Sequence, residues 1–391
     1  MSKVNKVYYV CFYAQEDTAN KIVSYPSVWS KIDYVADSIK QTDCEVEIVS
    51  VARSVKGVFK GFTKQIDRLE SIKYFTSRCY KSKLMNQVST LLHWAKILFY
   101  LLNKVKKNET VLVYHSVYNL KWLKIYHRLF RKKYNLEIED VFSALNDRAK
   151  KFSDQEWECF SEAETVLCVN DLIAEKLKND SKIISYGSYY LPRYKKDKHD
   201  CIRLVYAGVI EQERNAAFLA ARAMQFLSTN YELNILGFGN SKDIQDLNIL
   251  ISDLRAKGVH ISYLGRMSGS EYYSFLQNCD IGLSTHMYDE SNMSSADNTF
   301  PSKVLVYMSN GLAVVAQRLE CLTKSQVDGA ICYYDSPEPR LVAEAIKNVN
   351  LECAPRMIIQ ELDCQFKENI RAWLGKQNIV SETIIGSDVN N

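Results

Sequence analysis

Apolar residues recur along this chain in short blocks with two distinct periods. Val7 to Tyr13, Cys44 to Val51, Thr110 to His115, Leu136 to Phe142 and Thr165 to Val169 are apolar or alternating runs of the length of buried strands. Between them the spacing turns helical, with apolar positions 32, 35, 36 and 39 in the Trp29 to Ile39 stretch. Leu120 to Lys133 reads as a helix with a basic face, and a helix is expected between the last two strands. A long basic segment, predicted to be mostly helical, separates the second strand from the third. The alternation starts again after residue 200, with strands at Ile202 to Ala207, Tyr231 to Leu236, Val259 to Leu264, Asp280 to Ser284 and Leu312 to Ala316. Leu362 to Leu374 reads as a late amphipathic helix.

Strands that alternate with helical stretches predict an α/β protein with parallel, doubly wound sheets. At 391 residues the chain can build two domains with a core each. The charged run PRYKKDKHD, from Pro192 to Asp200, is the expected linker. It divides the chain into two Rossmann-like domains, 1–195 and 200–350. Residues 376–391 lack periodicity and are expected to form a disordered tail.

Hydrophobic content of 47% and charged content of 25% are those of an ordinary soluble protein. The eleven cysteines contain no CxxC pair and no cluster with His at metal-ligand spacing, which points to reduced thiols in a cytoplasmic protein. The first residues, MSKVNKVYYVCFYAQ, do not read as a secretory signal. No apolar run reaches the roughly 18 residues of a membrane span. The nearest, Leu91 to Leu102, contains Lys96 and reads as a core or interfacial helix. Net charge is only +4, but it is unevenly placed: residues 51–133 hold 19 Lys/Arg against three acidic residues. From 201 onward the balance is 16 basic to 22 acidic. The basic block is either a solvated face or a surface drawn to anionic lipid or a lipid-borne pyrophosphate, with Trp94, Phe99 and Tyr100 dipping into the interface. No nucleic-acid motif accompanies it.

In open α/β sheets, ligands sit beyond the carboxyl ends of the strands. Four segments after strands of the second domain carry suitable residues. In Asn298 to Ala316, NTFPSKVLVYMSNGLAVVA, Pro301 lies near the start of a short helix and Gly311 just past its end. Thr299, Ser302 and Lys303 at that helix start form an anion site suited to phosphate, or the lysine is merely solvated. Gly208 permits a sharp turn after its strand, and Arg214 follows it. Gly237-Phe238-Gly239 is a weak signal alone, because two glycines serve any tight turn. Tyr263, Gly265 and Arg266 follow the next strand, where Tyr263 or Arg266 can stack on a base or simply pack.

The order and spacing of these segments resemble the donor domain of GT-B glycosyltransferases of bacterial polysaccharide assembly. The resemblance covers residues 200–345 well. It covers the N-terminal half in outline, through Glu137-Ile138-Glu139-Asp140 and Cys168-Val169-Asn170. Pro301-Ser302-Lys303 and Tyr307-Met308 match a PSK-x-x-E-Y-M pattern, and Gly208 with Arg214 matches G-R-x-x-x-x-K. Three positions depart from it. Val209 replaces the pattern's Arg, while Asn298 and Val306 stand where two glutamates are usual. The resemblance implies two Rossmann-like domains facing a central cleft, with a helix at 358–375 packed back on the first domain. It further implies a donor site, for a UDP-linked nucleotide-sugar, built from Gly208, Arg214, Gly237, Tyr263, Gly265, Arg266, Asn298, Thr299, Ser302 and Lys303.

Sugar transfer requires stabilisation of the departing diphosphate, here expected from cations and not from a metal, since the sequence holds no Asp-x-Asp. No cofactor or metal is expected. An inverting reaction also needs a base; Glu16, Asp17 and His115 follow first-domain strands, and a retaining reaction needs none. The expected acceptor is a glycan or lipid-linked oligosaccharide, handled in the cytoplasm or peripherally on the inner face of the cell membrane. Two alternatives stand beside this reading. One is a degenerate GT-B subunit that supports an active partner. The other is a nucleotide-sugar epimerase of similar fold, which would use carboxylates in its cleft.

Overall fold

The computed structural model describes residues 5–387 apart from 16, 24–25, 194, 196, 198, 214, 287 and 289–292. The chain divides into two compact units. The first comprises Met1–Val169, Ile173–Ser188 and Cys364–Asn391; the second comprises Asn170–Leu172 and Tyr189–Asp363. Each is built on its own sheet.

In the first unit the strands are β1 (Lys6–Cys11), β2 (Glu45–Ser50), β3 (Val58–Phe59), β4 (Thr63–Gln65), β5 (Glu70–Tyr74), β6 (Ser77–Arg78), β7 (Thr110–Tyr114), β8 (Asn135–Ile138), β9 (Thr165–Cys168) and β10 (Ser181–Ile184). Eight of them form one sheet in the order β10-β9-β8-β7-β1-β2-β5-β4, parallel except for the edge strand β4. The inner strands β1, β7, β8 and β9 are buried almost throughout, which is why they read as continuous apolar runs. Helix α1 (Pro26–Lys40) covers one face with Ile32, Val35, Ala36 and Ile39. Phe366 of the last helix, Pro355–Ser387, stacks on its Tyr34 at 5.2 Å.

Three readings of the first unit need correction. The basic segment after β2 is helical only in α2 (Lys83–Lys104); residues 58–78 form four short strands. Within them β5 alternates in burial, Glu70, Ile72 and Tyr74 in, because it extends the main sheet beside β2. The helix expected from Leu120 stops far earlier, at Lys124, and passes into a π-helical turn Ile125–Leu129. Residues 376–387, expected to be disordered, continue the last helix to Ser387.

The second unit contains β11 (Ile202–Ile210), β12 (Tyr231–Gly239), β13 (His260–Gly265), β14 (Ile281–Ser284), β15 (Ala313–Gln317) and β16 (Ile331–Tyr334). They form a parallel sheet in the order β13-β12-β11-β14-β15-β16. The helix Ala216–Ala223 buries seven of its eight residues, among them Phe218 and Leu219, against this sheet. Fully burying such a side chain contributes roughly 2 kcal/mol. Strands β11 and β12 run three residues further than their apolar runs suggest, pairing Gly208 with Gly237 and Ile210 with Gly239. The GxG segment is thus the end of a strand and not a turn. Both units are doubly wound, Rossmann-like folds.

Candidate functional site

Tyr307 fixes the geometry of the second unit's strand ends. It lies on the helix Lys303–Ser309, fully buried, with its ring against Gly282 of β14. A Cβ at Gly282 would stand 2.3 Å from that ring. The Tyr307 hydroxyl accepts a 2.9 Å hydrogen bond from the Ala207 N–H of β11, so the helix is tied to two strands at once. Lys303 lies one turn earlier on the same helix face. Its ammonium consequently arrives over the end of β11, 4.7 Å from the centre of the Tyr206 ring.

Gly208 faces that ammonium directly. A Cβ there would lie 2.0 Å from the Lys303 Nζ. Gly237, with φ +148°, packs beside it so tightly that a Cβ would stand 1.8 Å from the Gly208 carbonyl oxygen. Tyr263 donates its hydroxyl to the Gly237 carbonyl at 3.0 Å, and the Arg266 guanidinium lies 5.5 Å from the exposed Phe238 ring. The predicted residues Gly208, Gly237, Tyr263 and Lys303 therefore meet at one edge, with Arg266 against the neighbouring Phe238. Gly265 closes β13 with φ +75°. A bare glycine backbone facing a half-buried ammonium suits an oxyanion that approaches the chain closely. The helix holding Lys303 has only seven residues, so the ammonium, and not the helix dipole, supplies the positive charge.

The loop before that helix is held from a distance in sequence. Asn170, fully buried, donates its amide to the Thr299 carbonyl at 2.7 Å and the Asp297 carbonyl at 3.1 Å. Asn298 is buried, Thr299 half-buried and Ser302 exposed with no capping bond. Arg214 lies outside the described residues. A second helix start competes poorly for anions: at Ser241–Ala256, Asn240 accepts from the Asp243 N–H at 2.9 Å, and the Asp243 carboxylate fills the first turn. Tyr206, Tyr307 and Asn170 escape the sequence reading as site residues. The spacing of Tyr307 four residues after Lys303 is the signal for one of them, and Asn170 stands out in the sequence only within the Cys168-Val169-Asn170 resemblance, without a role.

The base candidates of the first unit fall in different surroundings. His115 is 2% exposed, and its Nε2 lies 2.6 Å from the Glu156 carboxylate beneath the Phe142 and Phe160 rings. Glu156 also accepts the Phe142 and Ser143 N–H groups at 2.9 Å each. Burial pushes the Glu156 carboxyl up, but the bonds from His115 and Ser143 outweigh it and hold the group below its ordinary value. His115 is thus a sealed structural partner, and this position corrects its expected role as an accessible base. Asp17 is largely exposed, 3.5 Å from the Lys64 ammonium; Glu16 lies outside the described residues. A second buried cluster joins Tyr9, which donates to Glu137, with Glu139 paired to Lys31 at 3.2 Å. Burial and the neighbouring Glu139 charge push Glu137 up to about 8.

No protein-family model matches the chain, and no curated protein matches it in sequence. Solved structures do match its fold over almost their whole length. The α,α-trehalose 6-phosphate synthase of Burkholderia multivorans is 10% identical with a TM-score of 0.63, covering 99% of each chain. A glycosyltransferase from Rickettsia africae is 12% identical with a TM-score of 0.60, over 98% of this chain and 99% of that one. An E. coli trehalose-6-phosphate structure bound with UDP-2-fluoro glucose is 10% identical with a TM-score of 0.57, over 97% and 98%. These structures have the GT-B fold, and the chain shares it: two Rossmann-like domains.

Proposed function

We propose that this chain is a metal-independent glycosyltransferase that takes a sugar from a nucleotide-sugar, UDP-linked, and passes it to a glycan or lipid-linked acceptor of cell-surface polysaccharide. The observation that carries the reading is the Lys303 ammonium over Gly208 at the carboxyl end of β11. The GT-B likeness supports the reaction class, and the E. coli structure bound with UDP-2-fluoro glucose supports the choice of nucleotide. In transfer, the acceptor hydroxyl oxygen forms a bond to the anomeric carbon while the bond from that carbon to the diphosphate breaks. The electron pair leaves with the diphosphate, and Lys303 neutralises the charge that develops there. Gly208, under the Lys303 ammonium, lets the diphosphate approach the backbone, while Gly237 allows the close pairing of β12 with β11 that holds Gly208 in place. Asn170 is a positioning residue, holding the 297–299 loop that precedes the helix of Lys303. His115, sealed against Glu156, is not the group that takes the acceptor's proton.

Thermal stabilisation by UDP and UDP-sugars, with and without EDTA, tests the proposal. A shift with UDP that survives EDTA is expected; no shift with any nucleotide would overturn it. Nucleotide binding without turnover on any acceptor would instead favour the degenerate partner subunit.

A further inference from the structure

Helix α2 turns opposite faces to opposite surroundings. His93, Ile97 and Leu101 are buried on one side, the Phe75 ring meets His93 edge-on, and the Tyr8 hydroxyl donates to the Lys104 carbonyl. On the other side Leu84, Met85, Val88, Leu91, Leu92 and Phe99 recur at helical spacing, each between 43% and 71% exposed. The aromatic pair expected to accompany Phe99 is engaged elsewhere: Trp94 packs edge-on against Tyr118, and Tyr100 donates to Glu47. The helix and its flanks carry Lys81, Lys83, Lys96, Lys104, Lys106 and Lys107, all exposed, and no acidic residue lies between Lys81 and Lys107.

We infer that this face of α2 docks on the surface of an anionic bilayer, lying flat in it with Leu91, Leu92 and Phe99 among the acyl chains and the lysines at the headgroups. Charge complementarity selects this occupant. A second copy would set a segment with six lysines and no acidic residue against its own kind. A nucleic acid would pair with the lysines but leave the leucines in water. No described helix is long and apolar enough to cross a membrane, so the contact is peripheral. This gives the proposed lipid-linked acceptor a way to reach the protein, yet it does not require the donor site to be correct.

Cosedimentation of the full chain with vesicles tests it, using phosphatidylcholine alone and an equal mixture with phosphatidylglycerol. Binding to the mixed vesicles and little to the neutral ones is expected. The double variant Leu91→Glu/Leu92→Glu should lose about tenfold or more of that binding. Its melting temperature and UDP response should stay those of the parent, since both positions are more than half exposed. The triple variant Lys104→Gln/Lys106→Gln/Lys107→Gln should lose the preference for the mixed vesicles. No binding by the parent chain, or equal binding by the double-Glu variant, would overturn the inference. So would a lipid-free dimer that the same variant breaks, which would assign the face to self-association.

Discussion

Two polar side chains beyond strand ends, Lys303 in the second unit and His115 in the first, have opposite fates. Lys303 lies half-buried over a glycine backbone, its position set by the Tyr307 anchor one turn away. His115 follows β7 in a comparable place but is closed in by Glu156 and two aromatic rings. Both follow the rule that chemistry gathers beyond the carboxyl ends of parallel strands. Position alone therefore does not make a site. The side chain must also be left a face toward solvent, and the neighbouring backbone must be bare enough for a ligand to approach. At Gly208 only the Lys303 ammonium stands over the backbone, whereas Phe142 and Phe160 close over His115.

The largest expected effect separates the two groups by stability. Glu156→Ala strips a buried partner from His115 and from two backbone N–H groups, which should cost about 3 kcal/mol or more in denaturant unfolding. UDP affinity of the folded fraction should not change; a stable protein with altered nucleotide affinity would break the contrast. Next in size, Gly208→Val places side-chain atoms where the Lys303 ammonium lies and should weaken UDP binding by about tenfold or more, roughly 1.4 kcal/mol. Calorimetric titration reads it directly, and undiminished affinity would show that no ligand passes over Gly208.

A smaller effect is a slope with pH. Glu137 is held protonated by burial and by the Glu139 charge, so the folded chain binds more protons there than the unfolded one. Its contribution is complete below the ordinary carboxylate value, about 4.3, and fades as pH rises through about 8. Glu156 has the opposite sign, losing its contribution as pH falls below the ordinary value. Thermal melts between these limits should show stability declining on the alkaline side, and Glu137→Gln should flatten that decline. An unchanged slope in the variant would remove Glu137 from the account. Smallest of all, Arg266→Ala should change UDP affinity by less than about threefold, since its guanidinium already has the Phe238 ring as partner.

The sheets were legible because their inner strands are buried on both faces and so read as apolar runs. The strands β3 to β6 were not, because two to five residues between lysines carry no clear period. The π-helical end of Leu120–Leu129 was equally hidden, since its apolar and basic residues fit an ordinary helix. At the candidate site, Gly208, Gly237 and Lys303 could be named from spacing after strands. What brings them together could not. The Tyr307 bond to β11 and the Asn170 hold on residues 297–299 join positions 100 and 127 to 129 residues apart.

Binding of UDP to the parent chain and to Lys303→Met, measured side by side by calorimetry, tests the central claim most directly. Methionine keeps an unbranched apolar side chain of similar length while removing the charge. Parent binding that weakens about tenfold to a hundredfold in the variant is the predicted result, the size of a lost charge-assisted bond to phosphate. Equal affinity in the two proteins, or no affinity in either, would contradict a diphosphate site at Lys303.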